Sequence, residues 1–308
     1  MYDIIGDIHG HAGELIQLLQ RMDYRRLGRG FMHSQRTAIF VGDFIDRGPR
    51  IRETLQIVHE MVEQGAALAV MGNHEFNALA FHTPVPGLTS HYFRPHSDRN
   101  VRQHQATLDQ LPAQELTDFL NWFKTLPVSL ELAGLKVVHA CWNPSDIEVI
   151  QQGFERHGRF TPDFLREATV EKPDGLFQSV EHVLKGPDIH LPDGMTFLDK
   201  DNHPRRYARV KWYEDPTGRL LRQYVLESAT EFPEVPVPVD SIRVNPWPRT
   251  APPVFFGHYW LRAESPQRLA PNVACVDYSV ARKGMLCAYR WNGETQLSND
   301  SFITVKAS

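Results

Sequence analysis

Residues 37–48 read Thr-Ala-Ile-Phe-Val-Gly-Asp-Phe-Ile-Asp-Arg-Gly, an apolar run that stops at a glycine and is followed at once by Asp43, Asp46 and Arg47. The run Thr37 to Val41 predicts a buried strand, and Pro49 then introduces Ile51, Leu55, Val58, Met61 and Val62 at helical spacing over about Ile51 to Gln64. The same order of strand, glycine and polar group occurs on either side. Tyr2 to Ile5 precedes Gly-Asp-Ile-His-Gly at 6–10 and a helical stripe from about Ala12 to Met22, while Ala66 to Met71 precedes Gly-Asn-His-Glu at 72–75. A strand-helix-strand-helix-strand unit follows. The carboxyl ends of its strands open on one rim, where residues distant in sequence can meet.

A chain of 308 residues with 42% hydrophobic content can bury a substantial core. Its formal charge of −4 argues against nucleic acid as the main partner. Cys141, Cys275 and Cys287 are scattered, with no CxxC pair, which suits a reducing compartment and buried structural thiols. The first predicted strand begins at Tyr2, leaving no room for a charged region plus apolar signal core, and no later apolar run reaches membrane-spanning length. The expectation is a cytoplasmic protein with no membrane partner.

Further along, the stretch from His82 to His104 is polar and aromatic-interleaved, and within it His91 to His104, with Arg94, His96, Arg99 and Arg102, reads as a solvated loop, with a substrate-facing lid as the alternative. A helix is predicted over about Ala113 to Phe123, then a hairpin through Val128 to Glu131 and Leu135 to Val138. Beyond Cys141 the pattern gives a helical patch near Pro162 to Ala168 and alternating strands near Tyr207 to Tyr213 and Leu220 to Leu226. The proline-rich stretch 232–253 reads as an ordered surface loop. Strands resume at Val254 to Phe256, Val273 to Tyr278 and Met285 to Trp291.

The chemistry lies at the strand ends. Asp7 and His9, two apart, can turn a carboxylate and an imidazole toward one metal. Asp43 stands in the equivalent place after the next strand, and its two oxygens can bridge a pair of cations. Asn73 offers a neutral amide oxygen beside it. His139 ends the strand Leu135 to Val138, and His258 follows Val254 to Phe256 after Gly257, which repeats the placement.

The series Gly-Asp-x-His-Gly at 6–10, Gly-Asp-x-x-Asp-Arg-Gly at 42–48, Gly-Asn-His-Glu at 72–75, then His139 and His258, resembles the calcineurin-like metallophosphoesterase superfamily. Within it the chain is similar to the phosphoprotein-phosphatase branch of serine/threonine phosphatases and dinucleoside polyphosphatases. The resemblance implies a single α/β domain over 1–308, a sandwich of two mixed β-sheets flanked by helices, with the dimetal site at the strand carboxyl ends and a family-variable region about 141–253. It implies that Asp7, His9 and Asp43 hold one divalent cation and that Asp43, Asn73, His139 and His258 hold the other. Manganese is the expected ion, with iron, zinc or magnesium as alternatives.

Two such cations would supply hydroxide near neutral pH for in-line attack on phosphorus. His74, beside a ligand but not itself one, suits protonation of the leaving oxygen, and Asp46 would hold it as imidazolium. Arg47 can bind two phosphate oxygens through its planar fork. The expected activity is metal-dependent phosphoester hydrolysis, foremost on phosphoserine or phosphothreonine in proteins. The alternative is a dinucleoside polyphosphate hydrolase, acting on a phosphorylated small molecule or nucleotide.

His258 is followed by Tyr259 and Trp260 with no second histidine two residues on, unlike the nuclease and purple-phosphatase branches, which disfavours a phosphodiesterase. Retention of every ligand and of His74 disfavours a non-catalytic scaffold. The family's second phosphate-binding arginine lacks its usual landmark, because His139 is followed by Ala140, Cys141 and Trp142 in place of a glycine-rich turn. Arg205, Arg206, Arg209 and Lys185 are candidates, none of them assigned.

Overall fold

The computed structural model describes residues 1–170, 175–192, 194–198, 204–226, 232, 234–239, 242 and 245–307. Two mixed sheets dominate it. In the six-stranded sheet the strand Tyr2–Ile5 lies parallel to Thr37–Phe40, which in turn lies parallel to Ala67–Ala69. On its other side Tyr2–Ile5 pairs antiparallel with Met285–Trp291, itself flanked by Asp277–Tyr278 and Phe302–Lys306. The four-stranded sheet runs Val273–Cys275, Val254–Phe256, Leu135–Val138, Ser129–Leu132.

Side-chain alternation explains why these strands stack as two layers. Ile4 and Ile39 of the larger sheet meet Leu135, Val137 and Phe255 of the smaller one in a shared buried cluster. Their sequence neighbours Ile5, Phe40, Val138 and Phe256 point the other way, into the core beneath the helices. Those helices include Ala12–Arg21 and Ile51–Glu63, whose buried residues recur at the three-to-four spacing expected. Phe255 is fully buried, and burial of one phenylalanine contributes about 2–3 kcal/mol relative to exposure. The chain is thus a mixed α/β sandwich flanked by helices, as its motifs imply.

Several elements depart from the sequence expectation. The stretch from His91 to His104 is not simply a solvated loop. From Asp98 it winds into a helix to Gln110, capped by Ser97 and burying His104 and Thr107. The strand expected over Val273 to Tyr278 is split: Val273–Cys275 belongs to the smaller sheet, and Asp277–Tyr278 pairs in the larger one. Leu220 to Leu226 is not a strand. Leu221–Tyr224 forms a helical turn because Leu221 and Tyr224, three apart, are both buried. Only Tyr207–Arg209 of the preceding expected strand is extended, since Trp212 and Tyr213 turn into the main core. Helices Pro144–His157 and Leu176–Lys185 had no counterpart in the sequence reading. Of the proline-rich stretch 232–253, residues 233, 240, 241, 243 and 244 lie outside the described residues.

A small separate cluster is formed by Ile189, Leu191, Ala208, Val210, Leu221 and Tyr224, with others. The three cysteines are buried and unpaired, as expected. No helix among the described residues is long and apolar enough to cross a membrane.

Candidate active site

The strand ends bring the predicted residues together. The loop after Tyr2–Ile5 and the loop after Thr37–Phe40 are laced by backbone bonds, with His9 N donating to Asp43 O at 2.8 Å and Gly10 N to Phe44 O at 2.8 Å. Across the sheets Gly257 N donates to His139 O at 2.8 Å. His9, Asp43, Asp46 and His258 all hold positive φ, at 47°, 54°, 83° and 71°. Four such non-glycine residues in one rim mark backbone strain concentrated at the site and sustained by the surrounding bonds.

Two glycines keep room for the acids. A Cβ on Gly257 would lie 2.0 Å from Asp7 Oδ1, and one on Gly72 would lie 2.4 Å from Asp43 Oδ1. Asp7 Oδ2 accepts the His258 backbone N–H at 3.0 Å, and Asp43 Oδ1 accepts that of His74 at 3.0 Å, at the start of the helix Asn73–His82. The positive end of that helix favours an ionised Asp43.

The imidazoles are oriented for metal binding. His9 Nδ1 lies 2.8 Å from Ile45 O and His139 Nδ1 lies 2.7 Å from Val41 O. A carbonyl can only accept, so both Nδ1 atoms carry the proton and, when the ring is neutral, Nε2 presents its lone pair; burial would lower the His139 pKa, but Asp43 raises it. Those Nε2 atoms face opposite oxygens of one carboxylate: His9 is 3.5 Å from Asp43 Oδ2, and His139 is 3.4 Å from Asp43 Oδ1. Asn73 Oδ1 lies 3.1 Å from His139 Nε2 and 2.7 Å from His258 Nδ1. All six expected ligands therefore occur in one connected group.

The donor set fits cations on two independent observations. Asp7 Oδ1 and His9 Nε2 are buried with no hydrogen-bond partner among the described residues, which is costly unless something else satisfies them. Three buried carboxylates also crowd together. Burial, Asp277 and Asp43 push Asp7 well up; burial and Asp43 push Glu75 up to about 7. Burial also opposes ionisation of Asp43, but His139, His74 and His9 outweigh it and hold its carboxyl well below the usual range. Burial lowers His9 to about 3, keeping that ring neutral as a ligand must be. His9, Asp43 and His74 on one side, and Asp43, His139 and His258 on the other, each place ligand atoms within 4.8 Å of one another.

His74 stands in the first of these groups as well, so its role turns on its partners. Its Nδ1 lies 2.6 Å from Asp46 Oδ2, while Nε2 is 3.9 Å from Asp43 Oδ2. Burial alone would lower its pKa, but Asp43 and Asp46 overcome that and raise it. Asp43 raises His139 as well, so what sets His74 apart is the Asp46 carboxylate at its Nδ1, where His9 and His139 meet a backbone carbonyl, and that second anion suits proton donation.

Three contributors went unassigned in the sequence. His104 Nδ1 lies 2.6 Å from Asp46 Oδ1, and the Thr107 hydroxyl donates to the same oxygen at 2.7 Å while accepting the Asp46 backbone N–H at 3.1 Å. Burial would raise the Asp46 carboxyl, but the bonds from His104 and His74 hold it well below the usual range. Glu75, fully buried, accepts the backbone N–H groups of Asp43 and Phe44, each at 2.8 Å, and of Gly72 at 3.1 Å. It fixes the loop that carries Asp43, and its presence in the motif was the available signal. Arg47 is exposed, its guanidinium 4.9 Å from the centre of the Trp260 ring. Of the other basic candidates, Arg209 bonds Gly186 O and Asp188, and Lys185 pairs with Glu181.

The chain is similar to several known proteins. The calcineurin-like phosphoesterase profile matches residues 2–224. An asymmetrical bis(5'-nucleosyl)-tetraphosphatase of Bacillus velezensis is 45% identical over 74 residues, 24% of this chain and 30% of that protein, so the match spans under a third of that relative. A symmetrical bis(5'-nucleosyl)-tetraphosphatase of Psychromonas ingrahamii is 24% identical over 254 residues, covering 79% of this chain and 75% of that one. Among solved structures, a protein serine/threonine phosphatase from Saccharomyces cerevisiae aligns with 99% of this chain and 79% of its own at 14% identity, with a TM-score of 0.49. With the motifs at 6–10, 42–48 and 72–75 all inside the matched span, the chain belongs to the calcineurin-like phosphoesterase family.

Proposed function

We propose that this chain is a hydrolase that cleaves the phosphoanhydride chain of a dinucleoside polyphosphate. The observation that carries the reading is the symmetrical tetraphosphatase relative, which aligns with 79% of this chain and 75% of its own length. That relative supports a nucleotide substrate over the phosphoprotein foremost in the sequence reading. We also assign 1–308 to one domain. Ile150, Phe154, Trp212 and Tyr213 of the variable region pack into the main core, which supports that assignment.

In this reading Asp7, His9 and Asp43 hold one divalent cation, and Asp43, Asn73, His139 and His258 hold a second. When bound, the two cations lower the pKa of water and neutralise phosphoryl charge. The chain's own residues do the rest. Arg47 binds and orients the phosphoryl oxygens. His74 gives its Nε2 proton to the departing oxygen, while Asp46, bonded to Nδ1, keeps the ring charged and turned toward the cleft. His104 and Thr107 fix Asp46 from behind.

The test is product analysis of manganese-loaded protein given diadenosine tetraphosphate and a phosphothreonine peptide together, with a chelator control. The expected result is metal-dependent loss of the dinucleotide, either to two molecules of ADP or to ATP plus AMP. Phosphate release from the peptide with the dinucleotide intact would reverse the assignment in favour of a protein phosphatase.

A further inference from the structure

Two loops, one of them also carrying His258, meet beside His9. One follows the strand Val254–Phe256 and carries Trp260; the other follows Asp277–Tyr278 and contains the single turn Val280–Arg282. Asp277, 3% exposed, stitches them together. Its Oδ2 accepts the Trp260 backbone N–H at 2.6 Å, its Oδ1 accepts that of Ser279 at 3.0 Å, and its carbonyl accepts that of Leu261 at 3.1 Å. The Ser279 hydroxyl returns a bond to Leu261 O at 3.2 Å. Trp260, Ser279 and Lys283 all sit at positive φ, 55°, 60° and 60°. Such conformations persist where neighbouring bonds over-determine them, and they cluster at ligand clamps.

This stitching sets one indole against the site. The Trp260 ring centre is 5.5 Å from that of His9, and two guanidinium groups lie over the same indole, Arg47 at 4.9 Å and Arg282 at 5.3 Å. Arg47 is exposed, and Trp260 and Arg282 are half-buried, so solvent reaches the group. The π face offsets part of the repulsion between the two guanidiniums. Two fixed positive charges beside one reacting centre exceed what a single terminal phosphate requires. They match an anion that carries charge on successive phosphates.

We propose that Arg47, Trp260 and Arg282 form a subsite for the phosphates next to the one being attacked in an oligophosphate chain. This rests on the hydrolytic reading of the His9–Asp43 centre. Trp260 acts as the spacer: it holds the two forks apart at a fixed separation, so that Arg47 serves the reacting phosphate and Arg282 the following one. The ligand class is an inorganic or nucleotide oligophosphate, recognised through its phosphate chain rather than through its base.

The test compares inorganic tripolyphosphate with orthophosphate as inhibitors of p-nitrophenyl phosphate turnover by the manganese-loaded enzyme, in the unaltered chain, Arg282→Gln and Arg282→Lys. The quantity read is the ratio of the two inhibition constants, because a general loss of site integrity moves both together. The preference for tripolyphosphate is expected to fall about tenfold in Arg282→Gln, the loss of one charge-assisted contact, and less in Arg282→Lys. A ratio within twofold of the unaltered chain in both variants overturns the subsite. Calorimetric titration of tripolyphosphate and orthophosphate into the same proteins reads the same preference without turnover. Should diadenosine tetraphosphate prove not to be a substrate, the proposed function fails, yet the tripolyphosphate ratio still decides the subsite.

Discussion

The most consequential single group is Asp46, whose carboxylate is shared by two histidines and a threonine. Sequence alone offered it one partner, His74. The structure adds His104 and Thr107 on its other oxygen, so the charge that supports His74 is itself held in place on three sides. If His74 protonates the departing oxygen, His74→Asn should retain bound manganese, measured by elemental analysis, and lose at least about a hundredfold in kcat. His104→Gln should lose about tenfold. Both losses should be larger with an alkyl phosphate than with p-nitrophenyl phosphate, because a poor leaving group needs the proton more. Equal losses on the two substrates would remove His74 from the role of acid. His82 stands behind His104, their Nε2 atoms 3.0 Å apart, and burial together with His104 and His96 lowers its pKa to about 4. The unfolded chain then binds a proton at His82 that the folded one does not, between pH 6.5 and about 4. Stability should decline as pH falls through that window. In melting scans of metal-free protein, His82→Gln should show a shallower decline than the unaltered chain.

At the scale of elements, the helix Asp98–Gln110 does the most that the sequence did not announce. His104, Thr107 and Gln110 recur every three residues along it and so share one face. The first two grip Asp46; the Gln110 side chain accepts the Ile51 backbone N–H at 2.7 Å and donates to Gly48 O at 3.0 Å. The helix therefore clasps the loop that carries Asp46 and Arg47 at both ends. Gln110→Ala should cost about 1 kcal/mol in denaturant unfolding, and it should also lower kcat through a looser Arg47. Unchanged kcat in a destabilised variant would reduce Gln110 to a structural clasp.

The strand-end motifs were legible because each combines an apolar run with polar groups immediately after it, a local signal. This helix was not legible. Its segment, Asp-Arg-Asn-Val-Arg-Gln-His-Gln-Ala-Thr-Leu-Asp-Gln, buries polar His104 and Thr107 against a polar site, so the apolar stripe that reveals a helix is missing. Leu221–Tyr224 misled for the opposite reason, since a short alternating run fits either period until tertiary packing chooses. Likewise, no local pattern marks the point near Val276 where the chain leaves one sheet for the other. The six candidate ligands were all named in advance, whereas Glu75, His104 and Arg282 depend on contacts between segments far apart in sequence.

For the whole molecule, the two sheets share one inner core and open their strand ends on a common rim, so the site depends on the sandwich staying closed. That closure carries an electrostatic cost, because Asp7, Asp43 and Glu75 are buried near one another and two of the three have raised pKa values. Cations held by the folded chain alone should offset that repulsion and stabilise the sandwich by linkage. With free manganese at about a hundred times its dissociation constant, the melting temperature should rise by roughly 5 °C, and a chelator should reverse the rise. Asp43→Asn removes the carboxylate that faces both His9 and His139. In that variant the manganese-dependent rise should shrink to about a third or less, with a matching fall in bound metal by elemental analysis. Its metal-free melting temperature should fall, because the variant loses a carboxylate whose ionised form His139, His74 and His9 favour in the folded chain. A rise that persists undiminished in Asp43→Asn would mean that the stabilising ion sits elsewhere, and the bridging role drawn from the two opposed Nε2 contacts would have to be abandoned.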